Sequence, residues 1–341
     1  MPPSVIRSLV TIELTGSRAS FELENFIHAF GVSGLGREPL AQRPRTLDEF
    51  RENIRDVARQ QLVDIMLMSV STSDQLTIRE RLFADSPVTP AVRANDTTDI
   101  WLAGTPAAYG AQPARPFRSA SIDHAMYGQL GGAAPGHCSG ADLGLFSVTL
   151  NHDVPLDTAM LESYAQFRRE AEAKGFRHFL EVFPPNACGT LSEQQVPQFV
   201  SDSIARLLAG VARSERPIFL KMPYFGPGPM EALASYDSSL VVGVLGGSAG
   251  TALDAFQLVA EAKRYGARAA LFGRKINQAE HQLSFVRLLR SVADEQLEPQ
   301  QAVREYHAEL VRLKIPARRT LEQDLVSTAV VLSYDDAAAK K

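Results

Sequence analysis

The runs HFLEVF at residues 178–183 and PIFLK at residues 217–221 are short apolar stretches, and each carries an acidic or basic side chain near its end. They belong to a series of similar runs. Six more are DIMLMS from 64, TPAVRA from 89, FRSASI from 117, GLFSVTL from 144, LVVGVL from 240 and RAALFG from 268. The eight runs are spaced by about 29 residues on average, close to the ~30 residues of a strand–helix–strand unit. This periodicity is the main sequence evidence for a fold of alternating strands and helices.

Helical patterns occupy most of the gaps between the runs. They cover residues 156–174, 200–213, 251–265 and 279–293, and a further helix is expected at 299–313. Strand alternating with helix eight times predicts an α/β fold, a TIM (β/α)8 barrel. FRSASI fits the pattern least well. A doubly wound open sheet is the alternative architecture.

The predicted barrel occupies residues 61–315, flanked by two shorter segments. Residues 1–60 are interpreted as an N-terminal extension with a strand at Val5–Leu14, a loop at Gly31–Arg45 and a capping helix. In that helix Thr46 is the expected N-cap and Glu49 completes a capping box. Residues 316–341 form the C-terminal tail.

Composition and charge exclude several classes of function. With 35 Lys and Arg against 39 Asp and Glu, the net charge is −4, which gives nucleic-acid binding no global electrostatic support. The two cysteines, Cys138 and Cys188, are too far apart for a CxxC site and too few for a disulfide framework. These features, with no run of 18 apolar residues, predict a cytoplasmic protein with neither nucleic acid nor membrane as partner. A homo-oligomer is compatible with the sequence.

Lys221 is the most informative candidate for chemistry. Strand alternation places Phe219 and Lys221 on one face, so Lys221 points into the barrel if Leu220 faces the helices. A lysine in apolar surroundings tends to lose its proton, and the neutral amine can attack a carbonyl to form a Schiff base. A lysine that turns outward into solvent is the alternative.

Glu181 occupies the corresponding position one strand earlier. Phe179, Glu181 and Phe183 share a face. An inward carboxylate beside an inward amine would form a proton-transfer pair. A purely structural ion pair in the barrel mouth is equally compatible with the spacing.

Glycine-containing stretches follow the last two runs. These are Gly246-Gly247-Ser248 after the seventh run and Gly273-Arg274 after the eighth. Glycine lets a backbone approach a ligand closely, and barrel phosphate sites are often built from these two loops. We therefore expect these five residues to hold a substrate phosphate, with tight turns as the alternative.

A metal site is the competing chemical hypothesis. Asp123, His124 and His152 follow predicted strands three and four and would be its ligands. No HExxH motif is present, so we predict no metal. Further polar residues at predicted strand ends are Ser69, Arg93, Asn95, Asp96 and Asn151.

Together these motifs resemble the class I (Schiff-base) aldolases, in particular the tagatose-bisphosphate and fructose-bisphosphate class I aldolases. The resemblance extends over about residues 143–295. FSVTLNHD at 146–153 resembles the fourth strand of that family, FLEVF the fifth strand with its glutamate, and FLK the sixth with its Schiff-base lysine. GGS at 246–248 and FGR at 272–274 are similar to the two phosphate loops.

Two departures concern the substrate. The family member tagatose-bisphosphate aldolase has a second lysine on its fourth strand, where this sequence has Ser147. The family's first strand usually ends in an Asp-rich motif, whereas the first predicted strand here ends Met68-Ser69-Val70. These differences leave open whether the substrate is a sugar bisphosphate. They do not affect the expectation of Schiff-base chemistry.

The resemblance implies a carbon–carbon lyase that acts on a carbonyl substrate, a phosphorylated sugar, without a cofactor. Lys221 would form the Schiff base, Glu181 would move protons, and Asp123 would orient the lysine or the substrate. A metal-assisted lyase and a non-catalytic phosphosugar-binding barrel are the alternatives.

Overall fold

Eight parallel strands form the central sheet in the computed structural model, which describes residues 26–31, 45–101, 111–131, 138–246 and 250–332. The strands are β1 (Ile27–Gly31), β2 (Ile65–Met68), β3 (Thr89–Arg93), β6 (Leu143–Thr149), β7 (Arg177–Phe183), β8 (Leu220–Lys221), β9 (Gly243–Leu245) and β10 (Ala269–Phe272). Their order in the sheet is β8-β7-β6-β3-β2-β1-β10-β9.

The two end strands of this order meet and close the ring. Met222 forms a parallel bridge with Val244. The Met222 N–H donates to the Gly243 carbonyl at 3.0 Å, and the Leu245 N–H donates to the Met222 carbonyl at 2.9 Å. The predicted (β/α)8 barrel is therefore confirmed, and the open-sheet alternative is wrong.

One of the eight predicted barrel strands is wrong, and a different segment takes its place. FRSASI does not enter the barrel, because Phe117 belongs to a short antiparallel ribbon of β4 (Asp96–Thr97) and β5 (Pro116–Phe117). A central parallel strand is buried on both faces, whereas this run is half polar and both β5 residues are only partly buried. The missing barrel strand is β1, which pairs with β2 and β10.

The position of β1 corrects the predicted range of the barrel. The barrel begins inside the segment interpreted as an extension, and DIMLMS is its second strand. The comparison of Met68-Ser69-Val70 with a first strand was therefore made on the wrong strand. The predicted strand at Val5–Leu14 lies outside the described residues.

Helices cover the outer face of the ring. They are α1 (Leu47–Gln60), α2 (Val70–Ser73), α3 (Thr98–Trp101), α4 (Ile122–Tyr127), α5 (Val154–Lys174), α6 (Val196–Ala209), α7 (Pro227–Tyr236), α8 (Ala252–Arg264), α9 (Arg274–Asn277), α10 (Gln282–Ala293), α11 (Pro299–Leu313) and α12 (Leu321–Asp324). The predicted capping box of α1 is present, with Thr46 and Glu49 bonded reciprocally. None of the helices in the described part of the chain is both long and apolar enough to span a bilayer.

The C-terminal segment docks against the start of α8. Asp254 on α8 accepts hydrogen bonds from Ser327, Thr328 and Ala329. Asp324 on α12 accepts from the backbone N–H of Ala252 at 3.0 Å. Within the region interpreted as a tail, residues 321–332 are therefore attached to the barrel.

The inside of the barrel is divided into an apolar and a polar layer. The apolar layer contains Phe179 and Phe219, whose rings stack with centroids 4.5 Å apart. The other members of this inner cluster are Ile27, Ala29, Ile65, Leu67, Ala91, Leu143, Leu145, Val241, Ala269 and Leu271. The next inward residues of β7 and β8 are Glu181 and Lys221, so the polar layer lies towards the carboxyl ends of the strands.

Gly243 is a position where the closure of the barrel tolerates no side chain. A Cβ there would lie 2.6 Å from the Leu220 carbonyl oxygen and 2.7 Å from the Ala269 Cβ. We expect Gly243→Ala to lower the free energy of unfolding by about 2 kcal/mol, because overpacking forces the short strands apart. Urea denaturation measures this. Gly210→Ala is the matched control, since its Cβ would meet nothing within 4 Å, and equal losses in both variants would contradict the packing argument.

Candidate active site

The register of four strands brings one polar cluster together inside the barrel. Glu181 on β7 is opposite Lys221 on β8, and Ser147 on β6 is opposite Glu181 on its other side. Arg93, the last residue of β3, is opposite Leu145. Leu220 belongs to the outer core and Phe219 to the inner cluster, so Lys221 faces the interior. The cluster therefore lies at the carboxyl ends of the strands, where barrel enzymes have their active sites.

The carboxylate of Glu181 is the centre of this cluster. Its Oε1 forms a direct ion pair with Lys221 Nζ. Its Oε2 accepts a hydrogen bond from Ser147 Oγ at 2.8 Å and one from Arg93 Nη2 at 3.4 Å. Arg93 Nη1 also donates to Ser147 Oγ at 3.0 Å. The Glu181 side chain is 2% exposed and that of Lys221 is 13% exposed, so the pair is shielded from bulk water.

Burial and the neighbouring charges set the protonation of the pair. Burial lowers the pKa of Lys221, and the positive charges of Arg93 and Arg274 lower it further, while Glu181 opposes the shift. Burial by itself would raise the pKa of Glu181, but Lys221, Arg93 and the Ser147 hydroxyl outweigh it and lower that pKa. The site therefore favours an ionised carboxylate beside an amine that releases its proton more readily than an ordinary lysine.

Two residues after β3 support the cluster from the side. Asn95 is buried, and its amide brackets the backbone of Ser147, donating to the Ser147 carbonyl at 2.8 Å and accepting from its N–H at 2.6 Å. Asp96 Oδ1 lies 3.8 Å from Arg93 Nε. Burial and the charge of Glu181 raise the pKa of Asp96, and Arg93 opposes this shift. Both residues were noted at a predicted strand end, but the sequence assigned them no role.

The residues that follow β10 contact Gly250, which lies just before α8, at the rim of the barrel. Arg274, the first residue of α9, is exposed, and its charge acts on Lys221. Lys275 is buried, and its Nζ donates to the Gly250 carbonyl at 2.7 Å. Burial lowers the pKa of Lys275 to about 8. Lys275 therefore ties the end of β10 to the loop that precedes α8.

The glycines of these loops have different roles. The Gly246 N–H donates to the Leu271 carbonyl at 2.8 Å, so it is occupied within the sheet. A Cβ on Gly246 would lie 2.1 Å from the Phe272 ring, which explains the glycine by packing. Gly273 caps α9 at the end of β10. Gly247 and Ser248 lie outside the described residues.

Asp123 does not join the cluster. Its carboxylate contacts Lys174 Nζ at 2.6 Å and accepts from the Gly131 N–H at 3.2 Å. Lys174 ends α5 just before β7 begins, so this ion pair lies towards the amino ends of the strands. The expectation depended on FRSASI being a barrel strand, and α4 follows the outer ribbon instead.

The three candidate metal ligands are not assembled into a site. Asp123 is engaged with Lys174, whereas His152 Nδ1 lies 2.8 Å from Thr190 Oγ1 in the loop after β7. His124 is in the last turn of α4. In the part of the chain that the structure describes, no three His, Cys, Asp or Glu side chains are arranged to hold a metal ion.

Fold and site together define a (β/α)8 barrel with a buried lysine–glutamate pair at its mouth. Solved structures of Schiff-base aldolases have the same fold. An archaeal fructose 1,6-bisphosphate aldolase is 17% identical, with a TM-score of 0.55 over 79% of this chain and 94% of that one. A Schiff-base-forming fructose-1,6-bisphosphate aldolase is 16% identical, with a TM-score of 0.57 over 80% and 96%.

A protein from Corynebacterium glutamicum is similar to the same extent, with 16% identity and a TM-score of 0.57 over 87% of this chain and 99% of that one. At these identities the likeness is one of fold, and it agrees with the resemblance seen in the sequence. Protein-family models and curated protein sequences gave no match to this chain.

Asn95 provides a test of how the cluster is held. Asn95→Ala would leave the buried N–H and carbonyl of Ser147 without these partners, which costs about 2 kcal/mol of unfolding free energy. Urea denaturation measures the loss. Gln198→Ala, which removes an exposed hydrogen bond to Asp202, is the control and should be nearly neutral. Equal stability of the two variants would contradict the bracing role.

Proposed function

We propose that this protein is a class I aldolase, a carbon–carbon lyase that forms a Schiff base between Lys221 and a carbonyl substrate. The observation that carries the proposal is the contact of the largely shielded Lys221 side chain with the buried Glu181 carboxylate, at the carboxyl ends of two adjacent barrel strands. An amine with a lowered pKa beside an ionised carboxylate is the combination that imine formation requires.

In the proposed reaction the neutral Lys221 amine attacks the carbonyl carbon, giving a carbinolamine. Glu181 carries the proton that the nitrogen gives up to the former carbonyl oxygen, which completes the neutral carbinolamine. It then delivers a second proton, taken up from solvent, to the carbinolamine hydroxyl, which leaves as water. The resulting iminium accepts the electron pair of the carbon–carbon bond as that bond breaks, or activates the carbon that forms it in the reverse direction. The iminium polarises the substrate, so no separate cofactor enters the proposal.

The substrate in this proposal is a phosphorylated sugar. Arg274 presents an exposed guanidinium at the rim, and its fork suits a phosphate group. Gly273, Gly247 and Ser248 remain predicted phosphate contacts, whereas Gly246 contributes by letting Phe272 pack beneath the loop. The structurally similar aldolases are named for a sugar bisphosphate, which agrees with this substrate class.

Asp123 has no part in this proposal, because its carboxylate is engaged with Lys174 away from the barrel mouth. Lys221 is held instead by Glu181, which Ser147 and Arg93 orient in turn. The metal-assisted alternative lacks an assembled ligand set among the described residues. A non-catalytic phosphosugar-binding barrel is distinguished by the next experiment.

Borohydride trapping tests the nucleophile. Incubation with dihydroxyacetone phosphate and sodium borohydride should attach a reduced adduct to the peptide that contains Lys221, and Lys221→Met should abolish the adduct. Lys174→Met, which changes a lysine outside the barrel mouth, should leave it in place. An adduct on Lys275, whose pKa is also lowered, would contradict the assignment, and phosphate-ester binding without any adduct would favour the non-catalytic barrel.

Glu181→Gln tests the proton carrier. The amide keeps the shape of the side chain but cannot accept a proton, so we expect trapped adduct to form about 10²–10⁴-fold more slowly. Single-turnover trapping with dihydroxyacetone phosphate measures this rate. Glu193→Gln, an exposed change in the loop after the same strand, is the control. An undiminished rate in Glu181→Gln would remove Glu181 from the mechanism.

A further inference from the structure

Arg93 is the charged member of the cluster that neither forms a bond nor transfers a proton in the proposed chemistry. It ends β3, and its guanidinium reaches past β6 to the Glu181 carboxylate on β7. Ser147 is the inward residue of β6 at this level, and its small side chain lies beneath the guanidinium. Its hydroxyl accepts a hydrogen bond from Arg93 and donates one to Glu181. The Arg93 side chain is 17% exposed, so it contacts these partners mostly out of water.

Two cationic side chains share one carboxylate in the cluster formed by Arg93, Ser147, Glu181 and Lys221, because both Arg93 and Lys221 contact Glu181. The next carboxylate, Asp96, lies 3.8 Å from Arg93 Nε, and burial raises its pKa, so it offsets the second positive charge less than an ordinary aspartate would. A guanidinium keeps its proton in proteins, whereas a buried lysine can release one. If one of the two cations becomes neutral to reduce the excess positive charge, it is therefore the lysine.

The two cations contact different oxygens of the Glu181 carboxylate. Oε2 is occupied by Arg93 and Ser147, which leaves Oε1 for Lys221. We propose that Arg93 is a positioning residue, whose permanent charge keeps Glu181 ionised and oriented towards Lys221 and, by direct repulsion of the ammonium form, favours the uncharged Lys221 amine that attacks. This inference rests on the proposed function and deepens it, because it names what activates the lysine.

The charged groups that face Lys221 agree with this role. Among the described residues these are Glu181 from β7, Arg93 from β3 and Arg274 from α9, with Asp96 on the far side of Arg93. Both arginines lower the pKa of Lys221, but Arg93 alone of the two also contacts the carboxylate. Removal of the Arg93 charge should therefore raise the pKa of Lys221 and that of Glu181 together.

The test titrates Lys221 without any substrate. Trace acetylation of the intact protein with acetic anhydride between pH 6 and 11, with free phenylalanine as the reference amine, gives the pKa of each lysine by peptide mass spectrometry. In Arg93→Gln we expect the pKa of Lys221 to rise by about one unit, a tenfold gain in proton affinity. The acid limb of the trapping rate with dihydroxyacetone phosphate should move to higher pH by the same amount.

Three further variants keep the test decisive. Arg93→Lys preserves a cation of similar reach but one that can itself lose a proton, so the pKa of Lys221 should rise by less than in Arg93→Gln. Arg93→Met also removes the charge, and it carries the test if circular dichroism shows that Arg93→Gln fails to fold. Arg216→Gln is the control, because it breaks an ion pair with Asp237 just before β8, the strand that carries Lys221. It should leave the pKa of Lys221 unchanged.

The outcomes separate this inference from the proposed function. An unchanged Lys221 pKa in folded Arg93→Gln or Arg93→Met overturns the role of Arg93, and so does a rise in Arg93→Lys as large as in those variants, whether or not the enzyme forms an adduct. Absence of any adduct in the wild-type protein, with the expected shift of the Lys221 pKa, would overturn the Schiff-base function and leave the electrostatic role in place.

Discussion

The Glu181 carboxylate sits inside the barrel almost out of reach of water, and hydrogen-bonding or charged groups from three other strands converge on it. An isolated buried carboxylate would be strongly destabilising, so the three partners are what allow this charge to remain. Removing one member of such a network typically costs about 3–5 kcal/mol. The same contacts that keep the carboxylate ionised also hold the lysine amine beside it, so stability and chemistry depend on one set of distances.

The barrel makes this arrangement possible by separating its interior into layers. Phe179 and Phe219 fill the interior beneath the cluster and exclude water from below. Two residues further along each chain segment, the inward positions are Glu181 and Lys221. Because all eight strands run parallel, their carboxyl ends meet at one rim, and Arg93 and Ser147 reach the same level from β3 and β6.

The rim is itself held by polar contacts away from the cluster. Lys275 bridges the end of β10 to Gly250, and Asp254 just beyond collects hydrogen bonds from the C-terminal segment. Arg274, which precedes Lys275 on α9, is therefore attached to packed elements. This matters for a ligand that Arg274 would hold, because the distance between that ligand and Lys221 depends on the position of α9.

Much of the site follows from the sequence alone. Period-two alternation in FLEVF and FLK set the inward faces of Glu181 and Lys221, and the ~30-residue rhythm made their strands neighbours in a barrel. The rhythm also misled, because FRSASI has the right spacing but half of it is polar, whereas β1 is only five residues long and has His28 at its second position. Asp123 was misplaced for the same reason.

Which strand-end residues meet is visible only in the folded barrel. Arg93 and Ser147 are 54 positions apart in the chain, and nothing local to either one signals that they share Glu181. Sequence patterns report which face a side chain takes, since that depends on neighbours two to four residues away. The register between strands and the reach of a long side chain across an intervening strand depend on how the sheet closes, and that is a property of the whole ring.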